Sequence, residues 1–140
     1  MHSAVARRRR AALPIATPAL RDLDVLFKGF ADPTRLRILN LLAAGELCVC
    51  DIVELLALPQ PTVSRHLAYL RRCGLVTMSR AWKFAHYRLM ECALPVHDAL
   101  LRCVRSCFIG IPTLDTERIL AGARVRQRAG GAPRARGRIV

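Results

Sequence analysis

The chain has 140 residues, room for one domain with a modest core. Hydrophobic residues make up 53% of it, yet no run of about 20 apolar residues occurs, which excludes a membrane-spanning helix. The formal net charge is +13, concentrated at the ends: residues 1–19 hold four Arg and no acid, residues 121–140 six Arg and no acid, and 20–120 only 13 basic against 10 acidic residues.

Basic tails suit a polyanion such as DNA, and equally describe Arg-Ala-Gly-Pro ends with no dedicated partner. The apolar stretch Ala11 to Ala19 is broken by Pro14 and Pro18, so it does not read as a signal peptide and a cytoplasmic protein is expected. In that setting Cys48, Cys50, Cys73, Cys92, Cys103 and Cys107 read as thiols rather than as a disulfide framework.

Residues 1–18 read as a basic, disordered tail. A first helix fits 19–30, with Leu20, Leu23, Phe27 and Phe30 on one stripe. Asp32-Pro33 supplies an N-cap and a proline at the first helical position of a second helix, which runs to about Ala44 and ends at Gly45. A third helix starts around Cys50-Asp51 and runs to about Ala57. After the break at Leu58-Pro59-Gln60, a fourth opens at Pro61 and closes at Gly74. Val63, Leu67, Leu70 and Cys73 share its apolar face, which makes Cys73 a core residue, while Thr62, Ser64, Arg65, His66, Tyr69 and Arg72 lie on the other side. A short helix, a tight turn and a second helix with a polar outer face form a helix-turn-helix pattern.

Leu75 to Met78 and Phe84 to Leu89 predict two short strands, with Ser79 to Lys83 as the hairpin tip, or wing. A fifth helix fits 94–109. It carries two apolar stripes, Leu94, Leu101, Val104, Phe108 and Val96, Leu100, Cys103, Cys107, so it needs two partners, of which one can be its own core and the other a second subunit. The predicted fold class is mainly α with a small β-hairpin, a dimeric winged helix-turn-helix. Residues 19–112 form the DNA-binding and dimerisation domain; 113–140 are a C-terminal extension with a short helix, then an Arg-rich disordered tail.

Ala31-Asp-Pro-Thr-Arg-Leu-Arg-Ile-Leu39, Glu46-Leu-Cys-Val-Cys-Asp51, Gln60-Pro-Thr-Val-Ser-Arg-His-Leu67 and His86-Tyr-Arg-Leu89 occur in order and at matching spacing. Together they resemble the ArsR/SmtB family of metal-responsive repressors, over roughly residues 20–110. The resemblance implies a homodimer paired through its first and last helices, which represses by binding double-stranded operator DNA and releases it when an inducer binds. The Leu-Cys-Val-Cys-Asp motif is the version of arsenic/antimony and cadmium/lead sensors. It implies Cys48 and Cys50 as ligands for As(III) or Sb(III), with no resident cofactor.

Three features depart from the family pattern. Val53 stands where arsenic sensors carry a third cysteine, and the extra cysteines that cadmium sensors carry in an N-terminal extension are missing, since none precedes Cys48. Trp82 replaces the usual wing glycine, so a looser tip is expected.

Cys48 and Cys50 sit at a helix start, where thiolates are stabilised. Their alternative role is as two small buried hydrophobes. Cys103 and Cys107, four apart on one helical face, are candidates for a third thiol ligand, reached within or across subunits, or are core. Cys92 has no spacing partner. If no third thiol arrives, methylarsenite, with two open valences, fits the pair; cadmium or lead, thiol oxidation and persulfide bridging are further options. His97-Asp98 lacks the second downstream His that zinc sensors use.

For DNA, Gln60, Thr62, Ser64, Arg65 and His66 are candidates for the major groove, Arg71 and Arg72 for phosphate, and Arg80 and Lys83 for the wing contact. An enzyme is not expected: there is no phosphate-binding glycine loop, no Ser-His-Asp order and no carboxylate pair in an identifiable cleft. A thiol redox or metal-transfer protein is the alternative of another class, although Cys-x-Cys in a helical setting is not the Cys-x-x-Cys of thioredoxin-like enzymes. A constitutive DNA binder with inert cysteines is a third reading.

Overall fold

A computed structural model describes residues 19–91 and 94–130; the N-terminal tail, Cys92 and residues 131–140 lie outside the described residues. The helices are α1 (Leu20–Phe30), α2 (Pro33–Leu42), α3 (Val49–Leu56), α4 (Gln60–Arg72), α5 (Pro95–Cys107) and α6 (Pro112–Ala129). The strands are β1 (Leu47–Cys48), β2 (Val76–Ala81) and β3 (Phe84–Leu89).

Local chemistry accounts for the boundaries. The Asp32 carboxylate caps α2 by accepting the Arg35 N–H at 2.9 Å, with Pro33 at the first position. Arg35 then turns back over the end of α1, donating to the carbonyls of Gly29 at 3.2 Å and Lys28 at 2.7 Å, the latter also accepting the Ala31 N–H at 3.2 Å. Gly74 closes α4 with φ +75, a left-handed conformation that suits a residue without Cβ.

The core lies where α2, α3 and α4 meet. Ile38, Leu39, Leu41, Ile52, Val63, Leu67 and Leu70 are fully enclosed, joined by Leu26 of α1 and by Leu47 and Leu75. The stripe predicted for α4 is the one buried, and Cys73 at its end is 7% exposed. At about 1.5–3 kcal/mol for each large apolar side chain, this layer anchors the helix-turn-helix.

The sheet is antiparallel with order β1-β3-β2. The β2–β3 ladder runs from Val76↔Leu89 to Ala81↔Phe84. Ser79, Arg80 and Ala81 are therefore paired strand rather than hairpin tip, and only Trp82 and Lys83 turn the chain. The looser tip expected from the missing glycine is not found: Trp82 takes φ +60 itself. That left-handed conformation costs an ordinary residue about 1–2 kcal/mol, but it matches the twist required by a two-residue hairpin loop. Strand β1 was not expected. Two residues are too few for an alternating pattern, and the strand exists because Leu47 and Cys48 pair with Tyr87 and His86 of β3.

On α5, Leu101 and Val104 are buried and Val96 and Leu100 pack partly against the core, whereas Cys103 and Cys107 are exposed. Helix α6 lies across α2 and α3 and buries Ala121. Polar contacts hold it there. Asn40, 1% exposed, donates to the Leu114 carbonyl at 2.8 Å and accepts from Arg118 at 3.1 Å. Arg118 also donates to the carbonyls of Val104 at 2.7 Å and Arg105 at 2.8 Å, tying α6 to the last turn of α5. Arg37 of α2 donates to Glu117 at 2.7 Å.

Candidate nucleic-acid interface and its cysteine pair

Cys48 ends β1 and is the N-cap of α3; its Sγ accepts the Cys50 N–H at 3.3 Å. Where the sequence indicated two thiols, the structure joins them: the Cys48 and Cys50 sulfurs are bonded at 2.06 Å, so neither titrates in this state. Cys48 is 1% exposed, while Cys50 is half-buried and reaches the surface. The pair is thus fixed at a junction. Through the backbone of Cys48 it is paired to His86 in the wing strand β3, and through α3 it is packed on α4.

Cys50 opens into a cleft of about 390 Å³ that Gln60 and Ser64 line from α4 and Arg80 and Lys83 line from the wing. Four of the predicted DNA-contacting residues therefore share one concavity with a cysteine. Arg65 is exposed on α4 and Thr62 half-buried. His66 leans inward, its Nδ1 at 3.8 Å from Asp32 and its side chain 20% exposed, so it meets the cap of α2. Arg71 and Arg72 are exposed and border a second cleft, between the last turns of α4 and β2. Arg72 and Arg35 both lie over the Tyr69 ring, at 4.7 and 4.3 Å from its centroid. At the wing tip Lys83 lies over the Trp82 ring at 4.8 Å, and Trp82 is 86% exposed.

The remaining cysteines divide by burial. Cys73 donates to the Val25 carbonyl at 3.3 Å, and burial pushes its thiol up. Cys103 is also pushed up, chiefly by its hydrogen bond with Cys107. These two exposed thiols form a pair of their own on α5. Among the described residues no three His, Cys, Asp or Glu side chains gather in a way that could hold a metal ion, so Cys103 and Cys107 do not complete the Cys48–Cys50 pair within one chain. His97 meets the Cys73 carbonyl at 3.0 Å and Asp98 pairs with Arg102, a structural use of both residues.

Sequence reasoning missed the clasp on α3. Arg124 of α6 donates to Asp51, next to Cys50, at 3.2 Å and to Glu54, one turn further on, at 2.8 Å. Glu54 heads the causes that raise the Arg124 pKa. The available signal was the two acidic residues, Asp51 and Glu54, in an otherwise apolar α3. Nothing local names a partner 73 residues away.

The model of the bacterial regulatory protein, arsR family, matches residues 32–78, from the cap of α2 into β2. The HTH-type transcriptional regulator MJ1325 of Methanocaldococcus jannaschii is 50% identical over 67 residues, which is 47% of this chain and 75% of that protein. The chain belongs to the ArsR family. The arsenical resistance operon repressor of Escherichia coli is 54% identical over 65 residues, 46% of this chain, and the match spans a little over half, 56%, of that protein. Among solved structures, HlyU from Vibrio cholerae N16961 aligns with TM-score 0.55 and 32% identity over 63% of this chain and 92% of its own. The protein is therefore an ArsR-family transcriptional repressor, a DNA-binding regulator with a winged helix-turn-helix fold and not an enzyme. Among the described residues no helix is long and apolar enough to cross a membrane.

Proposed function

We propose that this ArsR-family protein is a cytoplasmic homodimer that holds operator DNA through α4 and the wing, and releases it when the reduced Cys48–Cys50 pair captures trivalent arsenic or antimony. The observation that carries this reading is the position of the pair: Cys50 shares one cleft with Gln60, Ser64, Arg80 and Lys83. Gln60, Thr62, Ser64 and Arg65 face the major groove, and Arg80 and Lys83 meet the backbone beside it. Arg71 and Arg72 hold phosphate. A second copy covers the apolar side chains that α1 and α6 leave exposed, Leu20, Phe27, Ile119 and Leu120.

The donor set fits a thiophilic ligand, with one limit. Reduced, the pair supplies two thiolates, and Val53 adds none. The third position is then filled by Cys103 or Cys107 of the partner subunit, or is already occupied, as in methylarsenite. Soft trivalent arsenic supplies affinity for thiolate; the chain's own part is the coupling. Drawing the two sulfurs around an atom moves the α3 N-cap, and with it β1, β3 and the packing of α3 on α4. A coupling of ~1–3 kcal/mol corresponds to roughly 5- to 150-fold weaker DNA binding. The likeness to the arsenical resistance operon repressor of Escherichia coli supports this choice of inducer.

A second reading, thiol oxidation as the signal, is favoured by the bond between Cys48 and Cys50. One experiment separates the two. Fluorescence anisotropy is measured on the region upstream of the protein's own gene, with reduced protein, with and without arsenite or methylarsenite. Release by either that is lost in Cys48→Ser and Cys50→Ser supports the arsenic reading. Release on forming the disulfide, with no response to either arsenical, replaces it with the redox reading. No binding in any state refutes both.

A further inference from the structure

We propose that Cys50 is a site of S-thiolation by a small carboxylate-bearing thiol, recognised by Arg80 and Lys83. The cleft into which Cys50 opens measures about 390 Å³. Small-molecule sites span about 300–1,000 Å³, so a thiol of tripeptide size is accommodated. Two of the lining side chains are cations and none is a carboxylate, which favours an anionic thiol over a neutral or cationic one of the same size.

The two bonded sulfurs are not equivalent. Cys48 is 1% exposed, whereas Cys50 lines the cleft. An incoming thiolate therefore reaches Cys50. A bond forms between its sulfur and Sγ of Cys50, the Cys48–Cys50 bond breaks, and Cys48 leaves with the electron pair as a thiolate. One disulfide replaces another, so no further oxidant or reductant is needed. The leaving group is well placed. Cys48 is the N-cap of α3 and its sulfur already accepts the Cys50 N–H at 3.3 Å, where a helix N-terminus stabilises negative charge. The modification itself does not depend on arsenic sensing. Its effect on DNA rests on the proposed DNA face: the adduct places carboxylates on Arg80 and Lys83, where the DNA backbone would otherwise meet them.

In Cys48→Ser the thiol that would expel the adduct is gone, while serine keeps the helix capped. Glutathione disulfide then loads Cys50 by exchange, one glutathione leaving as thiolate. Intact mass and peptide mapping compare this loading with that by cystamine, a cationic disulfide, each normalised to the urea-unfolded chain. The expected preference for glutathione is about tenfold, the weight of two solvent-exposed ion pairs. It vanishes in the Arg80→Glu, Lys83→Glu double variant and falls at high salt with the charges intact. Equal loading by the two reagents, or a preference that survives charge reversal, overturns the proposal. In the unsubstituted, bonded protein, brief exposure to glutathione and an acid quench yield the adduct on Cys50; an adduct on Cys48 instead overturns the assigned direction of attack.

Discussion

Asn40→Leu isolates the attachment of α6 to the rest of the fold. Asn40 is 1% exposed and uses both ends of its amide, donating to the Leu114 carbonyl and accepting from the Arg118 guanidinium. Leucine has similar volume, so no cavity or overpacking confuses the result. A neutral hydrogen bond contributes about 0.5–1.5 kcal/mol and one to a charged group about 1.5–3 kcal/mol, giving a gross loss of ~2–4 kcal/mol. The added apolar burial offsets part of this, and the Arg118 donors that bond to Val104 and Arg105 remain in place. A net loss of about 2 kcal/mol follows. Urea unfolding followed by circular dichroism, at fixed protein concentration so that the proposed pairing of subunits does not shift the midpoint, should show a midpoint lower by roughly 1 M for a slope of ~1–3 kcal/mol/M. Limited proteolysis should cut the α5–α6 connection sooner than in the parent. A midpoint unchanged to within about 0.3 M would refute the reasoning, because α6 would then not be bound through Asn40 in solution.

Three further outcomes are expected. Arg65→Ala weakens specific operator binding by ~1–3 kcal/mol in anisotropy, whereas Lys83→Ala weakens all DNA similarly and lowers the salt slope by about 1. Trp82→Asn, which accepts the left-handed conformation more readily, stabilises the wing by up to ~1 kcal/mol, read as slower hydrogen exchange at Ala81 and Phe84. Burial raises the Cys73 thiol, so above the ordinary thiol range the folded chain keeps a proton that the unfolded chain has lost. Stability therefore falls as pH rises from that range through the folded-state value, and Cys73→Ala flattens this alkaline slope whatever it does to stability at neutral pH.

The elements that local rules control were legible in the sequence. Asp32-Pro33, the apolar stripe of Val63, Leu67, Leu70 and Cys73, and Gly74 each act within a turn or two of chain, so the helix-turn-helix could be placed from residue order alone. The family motifs added the importance of Cys48 and Cys50, because they lie within one short stretch. Tertiary structure decided what depends on distant partners. Strand β1 is too short to have a pattern and exists only through Tyr87 and His86. The wing tip closes on Trp82 because the paired strands impose the turn, overriding the preference of the residue that stands there. The exposure of Cys103 and Cys107 could not be read from a helix with two apolar stripes, since periodicity defines faces but not which face is covered. The anchoring of α6 through Asn40, Arg118 and Arg124 was illegible for a further reason. A buried polar side chain requires a partner, but the requirement does not say where along the chain the partner lies.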